Sequence, residues 1–544
     1  MKVRKFWGWG YADELLSDQE DKLIQERVAS NFSLDEVETL PVPKAKEIEL
    51  PNPRITIPNN LKDKLSDDHL ERLNHSYGKS FPDIARALLK FFPSPPDLVA
   101  FPSDEEDIVN ILDWANGNNL AVIPYGGGSS VCGGVETDVG ESYKGVISLD
   151  LRNLNHVLEI DKESRAARIQ AGILGPDLEN ELKKTNHTLR HFPQSFEHST
   201  LGGWIATRSG GHYATLYTHI DDFVESTRLI SPSGKIESRR LPGSGAGPSP
   251  DRLIIGSEGI LGIITEAWMR IQERPSFRAS TSVEFKNYEK ALNATRLISQ
   301  SGLFPANCRL LDSKEAFVNG AGDGTSHILI LSFESSDHEM KPWLERALEI
   351  ASSEDGVYKI PNENNQDAHR SGSSGNWRNS FIRAPYYREA FARRGVIQDT
   401  FETSITWDKG FEFIATIKEK AKSIIKEISG KESTVTCRLT HTYPDGLAPY
   451  FSYSTHAKPT DMIEVWKEIK LATNELCVSL NGTVTHHHAV GRDHRIQGYD
   501  IQIPKGFKEM LQVAKKKVDP NSIMNPGVLI DPEDRVINHW MKGR

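Results

Sequence analysis

The stretch Val122-Ile123-Pro124-Tyr125-Gly126-Gly127-Gly128-Ser129-Ser130-Val131 leaves an apolar run and enters a loop of three successive glycines. Three missing side chains in a row strip away every Cβ that would hold a ligand off the backbone, and they allow positive φ at little cost. Such a loop can turn several N–H groups toward one anion, which suits a pyrophosphate. Glycine runs also make ordinary surface turns, so the loop alone leaves both readings open.

Two more segments of the same texture follow. They are Pro193-Gln194-Ser195-Phe196-Glu197-His198-Ser199-Thr200-Leu201-Gly202-Gly203-Trp204 and Gly256-Ser257-Glu258-Gly259-Ile260-Leu261-Gly262-Ile263-Ile264-Thr265-Glu266. Three glycine-rich segments, each beside a β-rich run, therefore stand between residues 122 and 266. This layout resembles the FAD domain of the vanillyl-alcohol oxidase and p-cresol methylhydroxylase (PCMH) superfamily. The resemblance implies FAD as cofactor. It places the flavin contacts on Pro124, Tyr125, Gly126, Gly127, Gly128, Ser129, Ser130 and Val131; on Pro193, Ser195, Thr200, Leu201, Gly202, Gly203, Thr207 and Ser209; and on Glu258, Gly259, Gly262, Ile263 and Ile264.

A chain of 544 residues exceeds what one core usually serves, so two or three domains are expected. Hydrophobic content of 38% with 26% charged residues describes a soluble globular protein. A net charge of −10 argues against a nucleic-acid partner, which needs a basic face. Cys132, Cys308, Cys437 and Cys477 are scattered without CxxC spacing and read as reduced packing residues. No run reaches the ~18–20 apolar residues of a membrane span. The opening Met1–Gly10 lacks the apolar core of a secretory signal, and Met541–Arg544 is not a peroxisomal address, so the expected location is cytoplasmic.

Residues 1–75 are polar and punctuated by Pro41, Pro43, Pro51 and Pro53, which predicts an extended arm over the surface with short helices at most. Ser103 and Glu106 form a capping-box start to a helix with Ile108, Ile111, Leu112 and Ala115 on one face, ending at Gly117-Asn118. Strands are expected at 120–123, 146–149, 167–171 and 263–265. A helix opens after Gly172-Ile173-Leu174-Gly175, with Leu178 and Leu182 facing inward. Beyond Pro275 the texture becomes strand alternating with amphipathic helix. The predicted fold is α+β: an N-terminal arm (1–75), a PCMH-type FAD-binding domain of two α+β subdomains (76–275), an α+β substrate-binding cap (276–480), and a C-terminal segment (481–544) returning to the FAD domain. The Gly- and Pro-rich stretch 241–250 reads equally as a flap or a linker.

His486-His487-His488 follows Val484-Thr485. On a strand, adjacent side chains point to opposite faces, so only His486 and His488 could share a ligand set. A metal site would need partners elsewhere, and no paired spacing supplies them. The expectation is therefore no metal and a general-base cluster, because neutral imidazole near pH 7 suits proton transfer.

From Phe6-Trp7-Gly8-Trp9-Gly10-Tyr11 onward, the chain resembles the alkyldihydroxyacetonephosphate synthases. The resemblance is carried by that opening, by Phe196–Trp204, Tyr387-Arg388-Glu389, Phe401-Glu402-Thr403-Ser404 and Thr436-Cys437-Arg438-Leu439-Thr440-His441-Thr442-Tyr443. Residues 12–75 and 315–380 match poorly. The family's essential tyrosine falls on Tyr450, its histidine pair on His487 and His488, two sensitive arginines on Arg309 and Arg388, and a further histidine on His191. The implied reaction exchanges the acyl group of acyl-dihydroxyacetone phosphate for a fatty alcohol, with flavin N5 as covalent scaffold and no net redox change. Lipid substrates, a homodimer and peripheral membrane contact come with it; for Trp7 and Trp9 themselves, packing is favoured over membrane docking. Read without the resemblance, Tyr450–Tyr453 is a core strand with aromatic alternation, and Arg309 is an ion-pair partner of Asp312.

The family's basic segment after Gly203-Trp204 reads here Thr207-Arg208-Ser209-Gly210-Gly211-His212-Tyr213, which alters the expected phosphate grip. The string Arg208–His212 also resembles a histidyl-flavin attachment motif, but that motif belongs to the first glycine loop, where no histidine stands here. Non-covalent FAD is expected. The rival reading is an FAD-linked 2-hydroxyacid dehydrogenase of the D-lactate and glycolate type. Those enzymes hold a divalent metal through His-x6-His and Glu-His-Gly. Here Ala448 stands seven places after His441, and His487-His488-Ala489 replaces the second motif, so that site is broken.

Overall fold

The computed structural model describes residues 3–217, 219–358 and 385–541. Three sheets carry the fold. The first is a mainly parallel sheet in the order Leu65–Ser66, Leu98–Ala100, Gly145–Asp150 and Leu120–Tyr125. Its central strands, Leu98–Ala100 and Gly145–Asp150, are buried on both faces, as continuous apolar runs require. The second is antiparallel: Val157–Asp161, Ala166–Gln170, Ile263–Arg270, Val224–Ser231 and Gly234–Glu237. Both sheets share one core with the helices Glu105–Asn118, Gly175–Lys183 and Leu201–Thr207.

The third sheet is antiparallel and eight-stranded, with Thr434–Thr442 and Gly446–His456 near its middle and Val396–Glu402 beside them. The helices Tyr288–Gln300, Lys341–Ser353, Trp407–Ser429 and Met462–Ser479 bury their apolar stripes in its core. The expected strands and helices near the site form in place. The cap of Glu105–Asn118 sits one residue later than the Ser103 expectation: Asp104 accepts from the Asp107 N–H, while Asp107 takes the Ser103 N–H. Residues 241–250 are exposed and form no regular element.

The N-terminal region departs from a surface arm. Asp18–Phe32 is a 15-residue helix capped by Ser17 and Glu20. Phe6, Trp7 and Trp9 are each under a tenth exposed, and Lys5 pairs with buried Glu389 at 2.8 Å. Gly8 is fixed by that contact, since a Cβ there would meet the Glu389 carboxylate. Aromatic burial outweighs the polar composition around it. At the other end, the helix Lys505–Val518 leads to a segment that docks on Leu120–Tyr125: the Val122 N–H donates to Ile523, and the Asn525 N–H donates back to Val122. All four cysteines are free and buried. Among the described residues, no helix is long and apolar enough to cross a membrane.

Candidate active site

The glycine loop, the Pro193–Thr200 turn and the 258–264 segment converge on one cleft that opens to solvent. Residues 124–131, Pro193, Ser195, Thr200, Gly202, Gly203, Thr207, Ser209, Glu258, Gly259 and Gly262–Ile264 line it. Leu201 does not; it is wholly buried in the core behind the wall.

The glycines prove necessary for a different reason than ligand approach. A Cβ on Gly127 would lie 1.8 Å from the His198 carbonyl oxygen, and one on Gly126 would lie 2.3 Å from Thr200 Oγ1. The loop packs its bare backbone against the second glycine-rich segment. Arg4 reaches in from the N-terminal region to donate to the Gly127 carbonyl at 2.8 Å. The N–H groups of Gly127, Gly128, Ser129 and Ser130 meet no acceptor among the described residues and border the cleft. A row of unspent donors on bare backbone fits the pyrophosphate of FAD.

Tyr450, His487, His488 and Arg309 line the same cleft. Three adjacent strands set up the tyrosine: Arg438, Tyr450 and Glu402 stand abreast in register. The Arg438 guanidinium lies 3.9 Å from the centre of the Tyr450 ring and pairs with Glu315 at 2.5 Å. Burial still wins, and the Tyr450 phenol is pushed up despite Arg438. A cation is therefore present but does not lower this tyrosine. Thr400 donates to the phenol oxygen at 3.0 Å, which leaves the phenolic proton free to be offered elsewhere.

Residues 485–488 form an irregular loop, not a strand. Its organiser is Glu402, whose Oε1 accepts from the N–H groups of His486 (3.2 Å), His487 (2.8 Å) and His488 (2.7 Å) and from the Thr485 hydroxyl (2.9 Å). The backbone thus wraps around a single carboxylate and brings the adjacent His487 and His488 both to the cleft wall, which alternation along a strand forbids, while His486 turns toward His219, His441 and Tyr443. Burial opposes ionisation of Glu402, but the facing His487 and His488 outweigh it and hold the carboxyl well below the usual range. His487 Nδ1 stands 2.5 Å from Glu402 Oε2. Burial pushes His488 down to about 4. It also pushes His486, His441 and His219 below the ordinary imidazole value. His488 and His487 flank Tyr450, with ring centres 5.5 and 6.0 Å away. The triplet has partners after all: His219, His441 and Tyr443 surround His486.

Other expected residues fall elsewhere. His191 lies behind the wall against Trp204, where burial holds it near 3; its Nε2 bonds Ser209 Oγ at 2.8 Å, so it positions a cleft residue. Arg388 does not line the cleft. It stands 3.8 Å from Asp399, within electrostatic reach of Tyr450. Arg309 is buried, pushed down to about 9 by burial and then by Arg438. Its expected partner Asp312 instead takes Lys418 at 2.5 Å, while Arg309 faces His212 at 3.3 Å. Glu258 does line the cleft, but its carboxyl is occupied by the Val490 and Gly491 N–H groups, and burial lifts it to about 7. Sequence reasoning missed Arg438, His441, His212, Gln194 and Trp9 as lining residues. Arg438, His441 and Trp9 stood in segments quoted only for their resemblance.

A glycine-lined dinucleotide cleft beside a tyrosine–histidine cluster defines a flavin-dependent enzyme. Residues 96–239 match the FAD binding domain model, and residues 274–529 match the C-terminal domain of FAD linked oxidases. The chain belongs to the alkyldihydroxyacetonephosphate synthase family. It is 30% identical to the Dictyostelium discoideum synthase over 86% of this chain and 79% of that one. With the Caenorhabditis elegans synthase it shares 29% over 97% and 96%. A solved alkyldihydroxyacetonephosphate synthase superposes with a TM-score of 0.78 at 26% identity, covering 96% of this chain and 97% of the other. p-Cresol methylhydroxylase, at 12% identity and a TM-score of 0.64, shares the fold.

Proposed function

We propose that this chain carries out the reaction for which its relatives are named, exchanging the acyl group of acyl-dihydroxyacetone phosphate for a fatty alcohol. The observation that carries the reading is the meeting of Tyr450, His487 and His488 on the cleft that the glycine loop lines. The glycine loop and the 258–264 segment would hold FAD, which would supply an electrophilic ring able to accept the dihydroxyacetone carbon without net redox change.

The protein's own groups manage protons and charge. His488 is neutral at pH 7 and can take the proton of the incoming alcohol on a ring nitrogen. Tyr450 keeps its proton and can donate it toward the departing carboxylate. Arg309 and Arg438, both on the cleft wall, suit the substrate phosphate, since a guanidinium holds such an anion through two parallel bonds. A second cleft shares Trp9, Phe192, Pro193, Gln194, His212 and Pro385 with the first, and its Phe196, Phe333 and Tyr386 give it apolar wall for an alkyl chain beside the charged Arg190 and Glu334. The same reading carries non-covalent FAD, which acid precipitation would leave in the supernatant. It also carries a homodimer meeting its lipids at a membrane surface, which sedimentation and vesicle binding would check.

The deciding experiment is anaerobic. The yellow protein is mixed with acyl-dihydroxyacetone phosphate, and separately with glycolate or D-lactate. Bleaching by the ketone phosphate, reversed by fatty alcohol without oxygen, is expected. Bleaching by a hydroxy acid alone would replace this reading with a dehydrogenase.

A further inference from the structure

We propose that His219, His441 and His486, with Tyr443, form a binding site for one divalent transition-metal ion of the zinc type. The three imidazoles come from distant parts of the chain: the turn after the second glycine-rich segment, the strand Thr434–Thr442, and the loop that Glu402 gathers. Each offers one ring nitrogen, and these lie within 4.8 Å of one another.

Hydrogen bonding decides which nitrogen is on offer. A backbone carbonyl can only accept, so the ring nitrogen facing one must carry the proton. His441 Nε2 faces the Gly211 carbonyl at 3.1 Å, which leaves the lone pair on Nδ1; that atom is buried and has no hydrogen-bond partner. His219 Nδ1 faces the Arg208 carbonyl at 3.2 Å, so its lone pair is on Nε2, 2.5 Å from the Tyr443 oxygen. His486 Nε2 lies 3.1 Å from the same oxygen. Without an ion, the Tyr443 hydroxyl can donate to His219 Nε2 and accept from His486 Nε2–H, while His486 Nδ1 lies 3.2 Å from His487 Nδ1; the three groups already share one oxygen. Backbone carbonyls thus fix the tautomers of His219 and His441, as they do around metal-bound imidazoles.

Soft-to-borderline nitrogen ligands without a nearby coordinating carboxylate favour zinc over calcium or magnesium. Bonds of ~2.0–2.1 Å in a tetrahedron set ligand atoms about 3.3 Å apart, so binding moves the Tyr443 oxygen away from His219 Nε2 and draws the more widely spaced ring nitrogens together. Tyr443 supplies the fourth ligand as phenolate, its proton passing to solvent. Gly210 makes room for the assembly, because a Cβ there would lie 3.0 Å from the His441 ring. The neighbouring group of Glu402, His487 and His488 is the competing position: Glu402 Oε1 is taken by four donors, but Oε2 faces His487 Nδ1 at 2.5 Å, so variants must tell the two apart.

The test uses flavin-loaded protein stripped with a chelator, desalted and titrated with Zn²⁺ by calorimetry, with metal content measured after dialysis. One equivalent per chain is expected. His219→Asn and Tyr443→Phe should each weaken binding ~10-fold or more while flavin content stays at the wild-type level, which separates a lost ligand from a misfolded chain. No stoichiometric uptake by the wild type would overturn the site. Uptake untouched by His219→Asn would also overturn it, placing the metal on the Glu402 cluster instead.

Discussion

Two loops face the same cleft and are built on opposite principles. The first, residues 124–131, draws its shape from its own composition: its glycines press bare backbone onto His198 and Thr200 and leave N–H groups to face a ligand. The second, residues 485–488, has no such local instruction. Its course is imposed by Glu402, more than eighty residues away in sequence and buried at the end of another strand. A loop can thus be shaped by the side chains it lacks or by one carboxylate it surrounds. The first device yields a cradle, the second a set of aimed imidazoles.

Breaking each loop separately should split flavin binding from turnover. Gly127→Val has the largest expected effect: its Cβ collides with the His198 carbonyl, costing on the order of 3 kcal/mol and leaving colourless protein after gel filtration. If that variant stays yellow, the account of the first loop fails. Tyr450→Phe and His488→Ala should retain full flavin absorbance and lose ~10²–10⁴-fold in turnover; near-normal rates in either would break the proton assignments. A pH series sharpens the comparison further. His488 sits near 4 when folded, against about 6.5 when free, so the unfolded chain binds more protons between those values. Its contribution to stability is whole above pH 6.5 and declines as pH falls toward 4. Thermal melts of His488→Ala should show a shallower pH slope in that window. The smallest effect belongs to Arg4→Ala, which removes one hydrogen bond to the Gly127 carbonyl; a loss of about 1 kcal/mol in flavin affinity is expected in a fluorescence titration.

Much of the cleft was legible because glycine and proline act locally. The order of the three glycine-rich segments predicted which stretches would meet, and only Leu201 among the flavin candidates turned inward to the core. The course of the histidine triplet was misread, since the strand alternation assumed for it ignores a carboxylate brought in by another strand. The polar composition of residues 1–75 likewise concealed Trp9, which reaches the cleft wall. Arg388 and His191, carried over by resemblance, are not among the lining residues and reach the cleft through Tyr450 and Ser209, because a motif fixes a neighbourhood and not the direction of a side chain.

The sequence by itself determined the α+β architecture, the glycine cradle and the kinds of side chain available for proton transfer. These follow from backbone permissiveness and apolar periodicity, which act within a few residues. Only the tertiary structure decided that Glu402 would gather the three histidines, that Arg438 would lie over Tyr450 while burial still keeps its phenol protonated, and that His219 would face His441 and His486. Those outcomes depend on through-space charge and desolvation between strands far apart in the chain, and no local pattern encodes them.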